Sequence, residues 1–449
     1  MINSTAFNSK TQDDFIKYAL IDETRVSRSS YQYSLSRPSL LKGDMQPWPT
    51  FINQHQLKEL SDVSVKLLQI IRSIPKRIFN NNAEKIFDFY DLGRYNIHRD
   101  IAGLILERGL QNVSSFISRG DFIFTKDGLK CVEYNISSNV GGWQAEVART
   151  WYVQNHIVND FLNESGKEVS AIDPLYEGYL HFIQTTLEST KETDTQLNLA
   201  VLVPDLDSLT SNYHKSVFKK CLNAVNKSLI GELMFCAWND LKVRNNRVYL
   251  NDVRIHAVSD QGQFCPIQVY LSQNQGFVTL LNGPVGHLVS NKINLAILTD
   301  EKYAHCFTPE ELALIKAHIP TTYIVPVNLD KKKGDFFRDN KDNYILKSGD
   351  GASGNDVLIG KDTTVDVWEQ WTIRAMKEKN WIIQEFVESI PFVYQSGDSG
   401  TSDHNVIWGL FVFGNSYAGG FLRLGKKNTN HIINTAQGAT ESYMLQVVE

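Results

Sequence analysis

The sequence predicts a mixed α/β (α+β) protein with more than one lobe, and three observations carry that expectation. The chain is 449 residues long, more than one hydrophobic core usually serves. Its last third is a series of short strand-like apolar runs with one amphipathic helix among them. Its middle opens on a buried-strand pattern followed by a helix and a second strand, the order of an α/β unit. A hydrophobic fraction of 42% can fill large cores, and a charged fraction of 21% is ordinary for a folded chain.

Each element follows from local pattern. Residues 1 to 50 are rich in Ser, Asn and Arg and predict no clear element. Over residues 53 to 75, Leu57, Leu60, Leu67, Leu68 and Ile71 recur at helical spacing, and Pro75 is expected to end that helix. A second helix is expected over residues 97 to 110. DFIFTKDGLKCVEYN then alternates around Asp127-Gly128, the pattern of a β-hairpin. One helix is expected over residues 144 to 161. LNLAVLVPD predicts a strand, residues 214 to 225 a helix, and ELMFC another strand. LKVRNNRVYLNDVRIHAV reads as strands split by Asn-rich turns. Thr308, Pro309 and Glu311 form a capping signature for a helix that ends before Pro320. Residues 329 to 343 are charged and read as a solvated loop. YILK, DVLIG, WIIQEFV, IWGLFVF and YAGGFLR read as strands, with a helix over residues 365 to 379.

Composition narrows the function. Lysine and arginine number 45 against 50 acids, a net charge of -5. Such a chain exerts no general pull on nucleic acid or anionic membrane, so neither is an expected partner. Cys131, Cys221, Cys236, Cys265 and Cys306 are scattered and form no C-x-x-C pair. That argues against a disulfide scaffold or a zinc site and for a reduced, cytoplasmic protein. The polar N-terminus lacks a signal-peptide layout, and no apolar run approaches the roughly 18 residues of a membrane span.

The hairpin carries the first chemical signal. With a three-residue loop of Lys126, Asp127 and Gly128, Thr125 faces Leu129, Ile123 faces Cys131, Asp121 faces Glu133, and Arg119 faces Asn135. Arg119, Asp121, Glu133 and Asn135 then share one face, while Phe122, Phe124, Val132 and Tyr134 turn to the core. Two adjacent carboxylates repel unless a cation neutralises them, and magnesium prefers such oxygen donors together with substrate phosphates. Arg119 could hold a phosphate oxygen beside them. The plain alternative is a surface hairpin with an Arg–carboxylate pair.

The second signal is SGDGASG, residues 348 to 354. It contains G-x-G-x-x-G, but it joins two strands instead of opening a helix, so it is no dinucleotide fingerprint. A glycine loop between strands, with free backbone N–H groups, is one way to cover nucleotide phosphates. Lys347 ends the strand before it. Ser348, Gly349, Gly351 and Gly354 supply the loop, and the alternative is an ordinary glycine-rich turn. WIIQEFV carries Gln384 and Glu385, which could meet an adenine edge. Lys292, in NKINLAILTD, is a further cation.

Taken in order, these motifs resemble the circularly permuted ATP-grasp enzymes, especially the synthetase domain of glutathionylspermidine synthase. The resemblance covers most of the chain from Arg119 onward. It rests on the R-x-D and E-x-N pair, LNGPVGHLVSNK, LKSGDGASGNDVLIG, WIIQEFVE and GLFVFGNSYAGGFLR. The metal-binding acids precede the nucleotide lysines, which is the permuted order. The resemblance implies Asp121, Glu133 and Asn135 as magnesium ligands and Arg119 as the residue steadying the transferred phosphoryl group. It implies Lys292 and Lys347 as ATP-phosphate lysines, Gln384 and Glu385 at the adenosine, and Arg423 near the reacting centre. The implied divisions are residues 1–195, a helical region with the metal-binding hairpin; 196–290, a small α/β domain; and 291–449, the ATP-binding part. Nothing in the chain resembles the amidase domain of the bifunctional enzymes. The first hundred residues and the loop YQSGDSGTSDHN at 394–405 do not match, so substrate identity does not carry over.

The implied reaction is ADP-forming ligation of a small carboxylate to an amine (amino acid, peptide or polyamine) through an acylphosphate, with ATP and Mg2+. An ATP-dependent phosphotransferase on the same fold, or a non-catalytic nucleotide-binding protein, are the alternatives.

Overall fold

The computed structural model describes residues 9–21, 37–95, 99–111, 115–137, 140–191, 195–203, 205–259, 266–325, 331–351, 356–396, 400–427 and 432–448. Gly354 lies outside them.

Two sheets position the site. The larger has eight strands, with a main path of Thr50–Ile52, Thr440–Val448, Ser416–Lys426, Gly400–Phe413, Ile117–Thr125 and Gly128–Asn135. The smaller is antiparallel, in the order Thr322–Ile324, Trp381–Glu385, Tyr344–Ser348 and Val357–Ile359. Its strands YILK, DVLIG and WIIQE are those that the apolar runs predict. A third sheet is parallel, in the order Thr279–Leu281, Ala257–Ser259, Leu199–Val201 and Leu233–Phe235. The helix Ser208–Val225 links the inner strand Leu199–Val201 to the edge strand Leu233–Phe235, as the α/β pattern requires. Leu241–Arg244, Arg247–Leu250 and Val253–Ile255 form a small antiparallel sheet. Its two tight turns place Asn245, Asn246, Asn251 and Asp252 at φ of 49°, 62°, 48° and 65°. Asn and Asp tolerate that left-handed region best among residues with a Cβ, so the Asn-rich turns are legible in sequence.

The long helix Gln54–Phe79 backs the hairpin. Asn53 and Gln56 form a reciprocal capping box at its start, with hydrogen bonds of 2.8 and 3.0 Å. Leu60, Leu67, Leu68 and Ile71 bury against Phe122, Phe124 and Tyr134 in one core. The Tyr134 hydroxyl donates to the Ser64 carbonyl at 2.5 Å.

Four local expectations change. Pro75 does not end its helix; it sits inside, and the chain continues to Phe79. A proline inside a helix removes one backbone donor and crowds the carbonyl four residues back; here Ile74, Pro75 and Phe79 are buried, which holds the last turn in place. Asn80, at φ 51°, ends it instead. Residues 144 to 161 form two helices, Ala145–Gln154 and His156–Ser165. Asn155 breaks them because its side chain caps the second, accepting from the Ile157 amide at 3.1 Å. The charged segment before Tyr344 is the helix Lys331–Asp339, docked by Phe337 against the Tyr344 ring at 5.1 Å. The expected loop at 394–405 is largely strand: Phe392–Ser396 pairs antiparallel with the start of Gly400–Phe413. Among the described residues no helix is long and apolar enough to cross a membrane, and Cys131, Cys221, Cys236 and Cys306 are unbridged.

Candidate functional site

A cleft runs between the larger sheet and the smaller one. Arg119, Asp121, Glu133, Asn135 and Arg423 line it from the first. Lys347, Val357 and Ile359 line it from the second, and Lys292 and Gly351 line it too.

The hairpin reaches this arrangement by another route than simple counting. Thr125 pairs with Gly128, so the loop has two residues, and Ile123 pairs with Lys130. Left alone, that shift would move Glu133 off Asp121. A bulge opens at Val132, between the Phe122–Cys131 and Asp121–Glu133 pairs. It restores Asp121 to Glu133 and Arg119 to Asn135. It also turns Val132 to the cleft, while Phe122, Phe124 and Tyr134 stay in the core.

Charge is dense and buried here. Arg119 donates to Asp121 through Nε at 2.8 Å and through a terminal nitrogen at 3.1 Å. Arg423 brings a guanidinium nitrogen to 2.7 Å of the second Asp121 oxygen. That contact is an ion pair, and the buried Arg423 Nε has no hydrogen-bond partner. Asn135 donates its amide to Asp121 at 3.2 Å, which leaves its own oxygen free. Burial pushes the Asp121 carboxyl up, but Arg119 and Arg423 together outweigh it and hold it at about 2. Lys292 lies 3.0 Å from Glu133 and donates to the Gly351 carbonyl at 2.7 Å. Lys347 donates to Gln384 at 2.8 Å. Burial pushes its ammonium down to about 8, with Glu133 opposing the shift and Lys292 adding to it.

Glycine makes room for this cluster at Gly409, which pairs with Asp121. A Cβ there would stand 2.9 Å from both Arg119 Cδ and the Phe421 ring. Arg119 can lie across the sheet over Phe421, 5.4 Å from the ring centre, only because that position is bare.

The expected residues sort by place. Arg119, Asp121, Glu133, Asn135, Lys292, Lys347, Gly351 and Arg423 converge. Gln384 is fully buried behind Lys347. Glu385 is exposed, accepts from the Thr321 amide at 3.1 Å, and does not line the cleft. Ser348 and Gly349 sit beside it. Ser348 donates to Asp350 at 3.0 Å, and the Gly349 carbonyl accepts from the Lys292 amide at 2.8 Å. Sequence reasoning missed Asn405 and the segment Phe386 to Ser389, which also line the cleft. Asn405, Ile407 and Gly409 alternate along one strand face, but the Gly/Ser-rich stretch before them hides where the strand begins.

The arrangement suits a polyanion with a hard cation. At its deep end four cations, Arg119, Lys292, Lys347 and Arg423, meet two carboxylates; the third, Glu388, stands at the mouth, 72% exposed. The surplus positive charge and the unpartnered Arg423 Nε call for an anion. Among the described residues no three His, Cys, Asp or Glu cluster together. A metal here would therefore rest on Asp121, Glu133 and the Asn135 oxygen and on the anion itself, which is how magnesium is commonly held.

No protein-family model matches the chain, and no curated protein matches it by sequence. Its fold is similar to that of a glutathione synthetase-like effector from Globodera pallida in its apo form. The TM-score is 0.57 at 12% identity, over 94% of this chain and 95% of that one. At that identity the likeness is one of fold alone, a mixed α/β one. A presumptive gamma-glutamylcysteine synthetase from Methylobacillus flagellatus KT aligns over 84% of this chain and 87% of that one at 11% identity. Its TM-score of 0.41 is too low to argue from.

Proposed function

We propose that the chain is an ADP-forming carboxylate–amine ligase on a circularly permuted ATP-grasp fold, with ATP as co-substrate and Mg2+ as cofactor. One observation carries the reading: four buried cations, Arg119, Arg423, Lys292 and Lys347, gather with the Asp121–Glu133–Asn135 oxygen set in one cleft between two sheets. The motif order and the synthetase-like fold agree with it.

In this reading Lys292 and Lys347 neutralise the terminal phosphates, and the glycine loop covers them with backbone N–H groups. Arg119 and Arg423 face the transferred phosphoryl group, where negative charge must be spread. Asp121, Glu133 and Asn135 would hold magnesium, which supplies charge neutralisation between the two terminal phosphates. The γ-phosphoryl passes to a substrate carboxylate, the P–O bond to ADP breaks, and an acylphosphate forms. An amine then attacks the carbonyl, phosphate leaves, and an amide results. The substrates are a small carboxylic acid and a small amine. The divisions at 1–195, 196–290 and 291–449 belong to the same proposal, as does a cytoplasmic location.

The test is product identity. ADP and phosphate should form when acid and amine are offered in pairs, and hydroxylamine should trap the activated acid as a hydroxamate without the amine. AMP as the product would refute the mechanism. ADP with a phosphorylated alcohol and no hydroxamate would make the chain a phosphotransferase. Binding without turnover for any pair would make it a nucleotide-binding protein.

Lys347 makes the site pH-dependent. Only its protonated form attracts phosphate, and with the ammonium held at about 8 that form is lost as pH rises. Nucleotide affinity measured by calorimetry should fall about tenfold between pH 7 and pH 9, and Lys347→Arg should flatten the fall. Stability runs the other way. Between pH 8 and about 10.4, the unfolded chain keeps the proton and the folded chain does not, so stability rises with pH across that window. Affinity unchanged from pH 7 to pH 9 would remove Lys347 from phosphate binding.

A further inference from the structure

A second cavity lies at the carboxyl ends of the parallel sheet. Val201, Phe235 and Ser259 are the last residues of three of its strands, and all three line it. Open parallel sheets bind small ligands at that end, where the loops leaving the strands part to form a crevice. The opposite wall comes from Ile117, Trp143 and the helix Pro174–Ser189, through Gly178, Tyr179 and Phe182. The Trp143 indole is stacked on Phe411 and Phe413, with centroids 5.6 and 5.9 Å away. A Cβ on Gly178 would stand 3.2 Å from that indole, so the glycine leaves room beside it.

The cavity and the cleft share one sheet face. Ile117 and Arg119 are two residues apart on one strand, so their side chains point the same way. Ile117 lines the cavity and Arg119 lines the cleft. The segment after the hairpin also joins them. A Cβ on Gly141 would stand 3.9 Å from an Arg119 guanidinium nitrogen, and Trp143 follows two residues later.

The cavity's chemistry is neutral. Lys42, the one formal cation among the described residues lining it, is paired with Asp207. The Tyr179 hydroxyl and His214 Nδ1 are hydrogen-bonded at 2.8 Å. Burial pushes the His214 imidazolium down to about 4, so the ring is uncharged at neutral pH. Gln144 accepts from the Tyr443 hydroxyl at 3.3 Å. Most of the remaining wall is aromatic or aliphatic, and a charged guest would lose its hydration there without gaining a partner.

We propose that this cavity binds an apolar, ring-bearing group of the carboxylic acid that the cleft activates, with the acid's carboxylate directed toward Arg119. The proposal rests on the ligase reading and narrows it. It favours an acid bearing an apolar ring over a polyamine or an acidic tripeptide.

The test uses the full chain without nucleotide, with indole as the neutral probe and glutathione and spermidine as charged ones. Ligand-observed NMR should show indole binding that neither charged compound displaces. Gly178→Leu, which fills the space beside Trp143, should weaken indole at least tenfold while a non-hydrolysable ATP analogue still binds. Phe235→Ala, which removes a wall instead of filling the space, should weaken indole as well and guards against misfolding of the first variant. In ADP-release assays, acids bearing aromatic groups should be turned over, with KM raised in Gly178→Leu more than kcat is lowered. Indole that fails to bind, that binds both variants as it binds the parent chain, or that either charged compound displaces would overturn the proposal. Turnover confined to small or charged acids and indifferent to Gly178→Leu would also overturn it. Indole bound as expected, with no hydroxamate from any acid, would support the cavity as a site and count against the ligase reading instead.

Discussion

Glu133→Gln should fold like the parent chain and lose magnesium-dependent turnover by at least about a hundredfold, the usual scale for removing one preorganised charge from a reacting centre. Its side chain is 25% exposed and has Lys292 as its ion-pair partner. Losing that charge leaves Lys292 still bonded to the Gly351 carbonyl, so the fold tolerates the change. Asp121→Asn should lose as much activity and also stability. The Asp121 side chain is 5% exposed, between Arg119 at 10% and Arg423 at 7%. Removing the anion strands two buried guanidinium groups, and breaking a buried pair typically costs about 3–5 kcal/mol. Thermal melts and turnover on both variants separate the two effects. Near-normal turnover in both would take the hairpin out of the mechanism. Equal melting temperatures would show that the Asp121 charge is not what holds the two arginines.

Arg119→Ala should lower kcat by about a thousandfold or more, the low end of what an arginine on a transferring phosphoryl group contributes. KM for ATP should change far less, because Lys292 and Lys347 would still hold the phosphates. The split between the two constants is the informative readout. An arginine used only for structure would lower the melting temperature and leave kcat of the folded fraction unchanged. Arg423→Gln should follow the same pattern more weakly, since Arg423 meets Asp121 through one nitrogen where Arg119 uses two. If Arg119→Ala raised KM for ATP and left kcat intact, Arg119 would belong to ground-state nucleotide binding.

The convergence of Arg119 and Asp121 with Glu133 and Asn135 is legible in the sequence, because side chains alternate along a strand and the motif spacing sets which of them meet. The same pairs form in the chain by another path. Counting assumes a three-residue loop, whereas the chain makes a two-residue loop and a bulge at Val132. The burial of Phe122, Phe124 and Tyr134 against the long helix favours the register in which both acids share the cleft face. Turn residues alone do not settle that choice. Asn405 and the segment Phe386 to Ser389 were not legible, because contacts with residues distant in sequence place them: Asn405 pairs with Gly425, the Phe386 amide donates to the Asn343 carbonyl, and the Ile390 amide donates to the Phe124 carbonyl.

Short-range signals account for what could be read directly. The Thr308 capping box, the left-handed Asn turns and the short apolar strands each depend on neighbours a few residues away. What needed the folded chain was decided by packing between distant segments. Pro75 stays helical because its turn is buried. The segment Lys331–Asp339 is helical, with Phe337 packed on Tyr344. Arg119 crosses the sheet because Gly409, nearly three hundred positions later, leaves its path open. Charge follows the same division. The residue types announce a cationic, acid-bearing site, but the low Asp121 carboxyl and the lowered Lys347 ammonium exist only once burial withdraws water and leaves each group to its neighbours.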